Sequence, residues 1–198
     1  MDDDLQLLHA WRGGDRNAGQ SLLQRHFDPI ARFFRSKLGD DVQDLVQRTF
    51  LDCVESRDRM GCVSVRAYLF AIARHRLVDH LRGRHLREVD PAITSMADLV
   101  TSASSRLARD DRQRLLALAL QQLPLEQQCV LELAYWEGLS GPEIADALGV
   151  PATTIRSRIT RARDRLRELL ATLETDPAAL AMLRGDLDRR SREFDHAG

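Results

Sequence analysis

The chain has 198 residues, of which 43% are hydrophobic and 30% charged, and its formal net charge is −1. A chain of this length can bury a hydrophobic core without disulfides or structural metal ions, in one large or two small domains. The three cysteines, Cys53, Cys62 and Cys129, form no C-x-x-C pair, which excludes a disulfide framework and a zinc site. No apolar run is long enough to cross a membrane and the amino terminus is acidic. We therefore expect a cytoplasmic protein with reduced thiols and no membrane insertion.

Residues 1–87 are predicted to form a compact helical domain. Helical spacing of apolar residues predicts segments at residues 20–38, 41–55 and 65–84, after a short apolar segment at residues 5–11. The first of these is interrupted at Asp28 and Pro29, which predicts one kinked helix or two. Residues 56–64 break the periodicity and are predicted to be a loop. Since no long stretch alternates with period two, we expect an all-α fold without a sheet.

A linker and a second helical domain follow. Residues 88–106 are rich in Ser, Thr, Ala and Asp and are predicted to be a flexible acidic linker with one helical turn near residues 96–100. Such a chain spans about 25 Å on average and several tens of ångströms when fully extended, so it can hold two domains apart. The second domain is predicted over residues 107–172. The tail, residues 173–198, contains a candidate helix at 177–190. The sequence leaves three roles open for this helix: packing on the second domain, binding of a partner, or a solvated end.

The second domain ends in a helix-turn-helix pattern. Ser140 and Glu143 have the spacing of a capping box, so a helix is predicted to begin there. Gly149 follows where a left-handed residue ends a helix, and Pro151 suits the first turn of the next one. That second helix has apolar residues three and four apart, namely Ile155, Ile159, Ala162, Leu166 and Leu169. A short helix, a tight turn and a longer helix make the helix-turn-helix arrangement.

The second helix of this motif is strongly basic. It carries six arginines against one aspartate and one glutamate: Arg156, Arg158, Arg161, Arg163, Arg165 and Arg167 against Asp164 and Glu168. Thr153, Thr154, Arg156, Ser157 and Arg158 lie in its first turns, the end that reaches base edges in a major groove. The later arginines are placed to neutralise phosphates. A second basic patch, residues 66–87, lies before the acidic linker, which indicates two contacts with a polyanion.

Two long motifs taken together resemble a known family. Residues 40–54, DDVQDLVQRTFLDCV, and residues 65–84, VRAYLFAIARHRLVDHLRGR, are similar to region 2 of bacterial sigma-70-type factors of the extracytoplasmic-function group. Residues 120–166 are similar to region 4 of the same group. The order of the motifs and the linker between them support the resemblance, which covers roughly residues 18–170.

The resemblance implies three sets of functional residues. The first is a surface for the clamp helices of core RNA polymerase: Asp44, Leu45, Val46, Gln47, Thr49 and Phe50. The second contacts the melted −10 promoter element: Tyr68, Arg74, His75, Asp79 and Arg82, preceded by a base-capturing loop at residues 56–66. The third reads the −35 element: Thr153, Thr154, Arg156, Ser157, Arg158, Arg161, Arg163 and Arg165. The implied partners are core polymerase, including its flap, promoter DNA and an anti-sigma factor.

The sequence argues against two other classes of protein. A stand-alone helix-turn-helix regulator needs an amino-terminal sensor domain, and no alternating strands of such a domain are visible. An enzyme needs reactive or metal-binding groups, yet the six histidines form no H-E-x-x-H arrangement and no glycine-rich phosphate loop occurs. We therefore expect an alternative sigma factor that is not an enzyme and has no cofactor or metal.

Overall fold

The structure, a computed structural model, describes residues 3–60, 64–84, 89–99, 111–174 and 176–197. Its α-helices are α1 (Asp3–Arg12), α2 (Arg16–Leu38), α3 (Gln43–Glu55), α4 (Val65–Arg84), α5 (Met96–Leu99), α6 (Asp111–Gln121), α7 (Leu125–Tyr135), α8 (Gly141–Leu148), α9 (Ile155–Leu173) and α10 (Pro177–Ala197). Two 3-10 turns, Arg57–Arg59 and Ala152–Thr154, precede loop residue Met60 and helix α9. These residues contain helices and no strand, so the predicted all-α class is confirmed. Cys62 and linker residues 100–106 lie outside the described part.

Helices α1 to α4 form the first domain. Asp15 begins α2 because its Oδ1 accepts hydrogen bonds from the amides of Asn17 (2.9 Å) and Ala18 (3.2 Å). The helix then continues through Pro29 to Leu38, so the alternative of two separate helices is wrong. The core of the domain is built from large apolar side chains that are almost fully buried, among them Leu22, Ile30, Phe34, Leu69, Leu77 and Leu81.

Helix α1 is held against α2 by a close approach at a glycine. Trp11 is buried, and a Cβ built on Gly19 lies only 2.5 Å from Nε1 of its indole ring. Arg12 next to it donates to the carbonyl oxygens of Arg57 (2.9 Å) and Met60 (2.5 Å). Helix α1 thereby also fixes the start of the loop at residues 56–66.

Gly19→Ala is expected to lower the free energy of unfolding by about 1–3 kcal/mol, because the added methyl group displaces a rigid, buried ring. Gly83→Ala is the matched control, since a Cβ on that helical residue meets nothing within 4 Å. The control is expected to be neutral or stabilising by up to about 1 kcal/mol. Urea unfolding of the two variants measures the difference, and equal stabilities contradict the close packing of Trp11.

Helices α6 to α9 form the second domain around α7. From Gln128 to Tyr135 every residue of α7 is buried. One side of α7 packs against α9 and α6, and the continuous apolar cluster extends through α7 into the first domain. Burial raises the pKa of the Cys129 thiol, at the centre of this helix, to about 11. A thiol held protonated in this way is a core residue and not a reactive one.

The two domains are closed on each other. Helix α4 packs along α8, and the side-chain amide of Gln121 donates to the carbonyl of Ser36 at 3.0 Å. The first half of the linker takes part as well, because the amide of Leu125 donates to the carbonyl of Thr94 at 2.9 Å. Its predicted helical turn is confirmed as α5, in which Met96 is buried.

A buried ion pair lies inside the domain interface. The ammonium of Lys37, whose side chain is fully buried, contacts the carboxylate of Glu132. Lys37 also donates to the carbonyl of Phe33 at 3.0 Å, and Gln128 donates to Glu132 at 2.9 Å. Since a buried charge without a partner is costly, each of the two charges depends on the domains being in contact.

Candidate nucleic-acid interface

The helix-turn-helix forms as the sequence predicts. The amide and hydroxyl of Ser140 both donate to Oε2 of Glu143 at 2.8 Å, which closes the start of α8. Gly149 has φ of 67° and ψ of 39°, the left-handed conformation that ends α8 and that glycine adopts without strain. The amide of Val150 then donates to the carbonyl of Ala145 at 3.0 Å. These contacts set the direction in which α9 leaves the turn.

The capped end of α8 also faces the first domain. Burial alone would raise the pKa of Glu143, but hydrogen bonds from Ser64 and Ser140 lower it below its usual value. Ser64 directly precedes α4, so a carboxylate that caps the helix-turn-helix also contributes to domain closure.

The basic helix α9 begins one turn later than the sequence pattern implies. Thr153 and Thr154 lie in the preceding 3-10 turn, where the hydroxyl of Thr154 donates to the carbonyl of Pro151 at 2.7 Å. Ser157 is exposed and its hydroxyl donates to the carbonyl of Thr154 at 2.9 Å. Thr153 and Ser157 thus occupy the outer side of the first turn, which is the position from which base edges are reached.

The arginines of α9 lie on two flanks of the helix. On one flank, Arg156, Arg163 and Arg167 are seven and four residues apart and contact α10. On the other flank, Arg158, Arg161 and Arg165 are three and four residues apart. Of these, Arg161 donates to the carbonyl of Ser157 at 3.2 Å and Arg165 pairs with Glu168 at 2.8 Å. The buried stripe of α9 between the flanks is the predicted one.

Helix α4 carries the residues predicted at the −10 element. His75 and Asp79 are exposed and pair with each other at 3.2 Å, as residues four apart on one helix face can. Arg82 is exposed near the end of the helix, whereas Tyr68 is half-buried. Arg74 is turned towards the second domain. The loop implied to capture a base has its residues 61–63 outside the described part of the chain.

One carboxylate joins the two predicted DNA-binding sets. Oε1 of Glu126 lies 3.5 Å from Nη2 of Arg74, and its Oε2 lies 3.1 Å from Nη1 of Arg158. Arg74 belongs to the −10 set and Arg158 to the −35 set. In the closed arrangement both guanidinium groups are therefore directed at a protein carboxylate instead of at phosphates. Glu126 lies within the region 4 motif, but sequence spacing alone could not show that it faces Arg74 of the other domain.

The surface implied for core polymerase is only partly exposed. Leu45, Val46 and Thr49 are buried in the first domain, where they shape α3. Asp44 and Gln47 are exposed and Phe50 is partly exposed, with its ring stacked on that of Phe27 at a centroid distance of 6.1 Å.

Three apolar side chains extend this surface. Phe27, Leu51 and Val54 are 48%, 52% and 43% exposed. The spacing of apolar residues in the predicted helix at residues 41–55 places Val54 on its inner side, and this prediction is wrong. Leu51 is an apolar residue outside the buried stripe of α3. Its position in the helical pattern is a signal in the sequence from which an exposed apolar patch could have been predicted. We call Phe27, Phe50, Leu51 and Val54 the apolar patch.

Among the described residues, no group of three or more His, Cys, Asp or Glu side chains is arranged to hold a metal ion. No helix in the same ranges is long and apolar enough to cross a membrane.

Comparison with known proteins identifies the family. The model of Sigma-70 region 2 matches residues 22–87, and the model of Sigma-70, region 4 matches residues 113–166. The ECF RNA polymerase sigma factor SigM of Mycobacterium tuberculosis is 32% identical over 176 residues, covering 87% of this chain and 87% of its own. The RNA polymerase sigma factor CarQ of Myxococcus xanthus is 35% identical, covering 86% of this chain and 99% of its own. The chain is a sigma factor of the extracytoplasmic-function family.

Solved structures of sigma factors have the same fold. CnrH in complex with the cytosolic domain of CnrY is 29% identical with a TM-score of 0.63, covering 86% of this chain and 99% of that one. RpoE in complex with the anti-sigma factor NepR from Bartonella quintana is 26% identical with a TM-score of 0.58, covering 77% of this chain and 96% of that one.

This sigma factor binds core RNA polymerase and directs promoter recognition, DNA melting and the initiation of transcription. The matches to both regions favour this function over that of a stand-alone helix-turn-helix regulator.

Proposed function

We propose that the second domain, residues 107–172, reads the −35 element through the exposed side of α9. Thr153, Ser157 and Arg161 face outward at the start of the helix, and Arg156 and Arg158 flank them. Arginine forms bidentate contacts with guanine, and the arginines further along reach the phosphates of the groove walls. The observation that carries this proposal is the capped and left-handed turn that presents α9 as a recognition helix.

The first domain, residues 1–87, is proposed to bind polymerase and the −10 element. The apolar patch supplies the hydrophobic contact with the clamp helices, rimmed by Asp44 and Gln47, while Leu45, Val46 and Thr49 support it from the core. On α4, His75, Asp79 and Arg82 are accessible to the melted strand. Arg74 becomes accessible when the domains separate, and Tyr68 is half-buried beside them. The linker, residues 88–106, lets the domains reach their two elements.

Partners and location follow from the same proposal. The sigma factor acts in the cytoplasm with polymerase and promoter DNA, and polymerase supplies the catalysis, so the chain itself is not an enzyme and needs no cofactor. Both structural relatives described above are complexes, one of them with a protein named as an anti-sigma factor. We include an anti-sigma factor among the partners on that basis.

Transcription in vitro with core polymerase of the source organism tests the proposal. On a pool of genomic promoters, the wild-type protein is expected to produce discrete new start sites that share elements near −35 and −10. Arg158→Ala is expected to reduce these transcripts by roughly 5- to 150-fold, the loss of one good base contact of about 1–3 kcal/mol.

Arg189→Ala is the matched control, because Arg189 pairs with Asp186 within α10 and does not belong to α9. It is expected to leave the transcripts unchanged. Start sites that persist at full strength with Arg158→Ala would remove this residue from the −35 interface.

A further inference from the structure

Helix α10 lies beside the basic helix in an antiparallel register. Asp195 of α10 pairs with Arg156 at 3.1 Å, and Ser191 accepts a hydrogen bond from Arg163 at 2.8 Å. Asp188 pairs with Arg167, the next arginine on the same flank. As the residue number rises along α9 it falls along α10. One flank of α9 is therefore matched by acidic and hydroxyl groups over three of its turns.

Apolar contacts hold α10 in this position. Leu183, Leu187 and Ser191 are four residues apart and are buried, and Leu180 and Phe194 are partly buried. Arg190 adds a hydrogen bond of 2.7 Å to the carbonyl of Tyr135, and its guanidinium lies 4.9 Å from the ring centroid of Trp136. Of the three outcomes open from the sequence, the tail packs back on the second domain. It does so with a stripe that presents Asp188 and Asp195 to α9.

This position conflicts with binding of DNA by α9. A helix with its side chains is about 10–12 Å wide, and the major groove is about 12 Å wide, so the groove admits one helix and not two side by side. Arg156 and Arg163, which belong to the proposed −35 set, face α10 together with Arg167. Carboxylates hold two of these three guanidinium groups in the way that DNA phosphates would.

We propose that α10 is a built-in competitor of promoter DNA, which occupies one flank of the recognition helix and has to leave it before the −35 element binds. The inference rests on the proposed role of α9 in DNA binding. In this arrangement the carboxyl-terminal extension lowers the affinity of the free sigma factor for DNA. Helix α10 presents the carboxylates of Asp188 and Asp195 to this flank and DNA presents phosphates, so the two compete for the same arginines.

The full-length double variant Asp188→Asn/Asp195→Asn tests this inference. Its affinity for a 30-base-pair DNA duplex is measured by fluorescence anisotropy across a series of salt concentrations. Because these two ion pairs, one exposed and one partly buried, no longer oppose DNA, binding is expected to tighten by about tenfold. The slope of log affinity against log salt is expected to stay the same, because α10 leaves α9 in both proteins and the same arginines reach phosphates in the complex.

The control has the same change of charge on the opposite flank of α10. Asp186→Asn/Glu193→Gln also removes two negative charges seven residues apart, but Asp186 pairs with Arg189 and not with α9. It is expected to tighten binding by less than about twofold, through net charge alone. Equal affinities of the two double variants would overturn the inference.

A third variant separates this outcome from failure of the proposed function. Arg158→Ala lies on the other flank of α9 and is expected to weaken duplex binding. If Arg158→Ala weakens binding while Asp188→Asn/Asp195→Asn matches its control, α9 binds DNA and α10 does not compete. If neither Arg158→Ala nor Asp188→Asn/Asp195→Asn changes the affinity, α9 does not bind DNA. The proposed function is then wrong together with the inference.

Discussion

Replacing Lys37 with methionine is expected to open the two domains of the sigma factor. The variant leaves the carboxylate of Glu132 buried in the interface without its cation, and breaking a buried pair in this way costs about 3–5 kcal/mol. Since Glu132 and Lys37 belong to different domains, the molecule regains hydration of the carboxylate by separating them. Small-angle X-ray scattering is expected to show a larger radius of gyration, with the helical content unchanged.

Two controls isolate the cause of this opening. The double variant Lys37→Met/Glu132→Leu places apolar groups on both sides of the interface and is expected to close again, because replacing a whole buried pair is often neutral or stabilising. Arg48→Met removes one charge from an exposed pair with Asp44 on α3 and is expected to change stability by less than about 0.5 kcal/mol. If Lys37→Met kept the compact radius, the buried pair would not hold the domains together.

Opening has a direct consequence for promoter binding. In the closed arrangement Glu126 accepts from both Arg74 and Arg158, one from each proposed DNA-binding set. Domain separation takes Arg74 away from this carboxylate, and the −10 face of α4 becomes accessible along its length. The domain interface is thus expected to restrict the proposed −10 contact of Arg74, and α10 is expected to restrict one flank of α9.

Leu51→Glu is expected to weaken binding of core polymerase by about 30-fold or more. A side chain at the centre of a protein interface contributes about 2 kcal/mol or more, and a buried, unpaired carboxylate opposes docking further. The fold is expected to be unaffected, because Leu51 is 52% exposed in the free protein. Fluorescence anisotropy of the labelled protein titrated with core polymerase measures the affinity, and thermal unfolding checks the stability.

Ile93→Glu provides the comparison for Leu51→Glu. Ile93 is 75% exposed and lies in the linker, away from the apolar patch. The same change from an apolar to an acidic side chain is expected to leave polymerase binding unchanged there. A similar loss in both variants would indicate a general effect of charge, and no loss in either would exclude the patch from the polymerase interface.

Local signals in the sequence predicted the elements of the site. The capping box of Ser140 and Glu143 and the left-handed Gly149 act within a few residues, so they determine the helix-turn-helix whatever surrounds it. The apolar spacing in α9 predicted its buried stripe for the same reason. The apolar stripe of α10 predicted a helix in the tail, although the helix extends to Ala197 and not only to residue 190.

The tertiary structure alone decided which of these surfaces are free. Lys37 and Glu132 are 95 residues apart, and Arg74 and Glu126 are 52 apart. Such pairs depend on how two separately folded domains dock, and helical periodicity contains no information about docking. Leu45, Val46 and Thr49 were grouped with a partner surface by the family resemblance, although they are buried inside the first domain. Helical periodicity likewise could not show that Asp188 and Asp195 of α10 face the arginines of α9, because that contact depends on how the two helices pack.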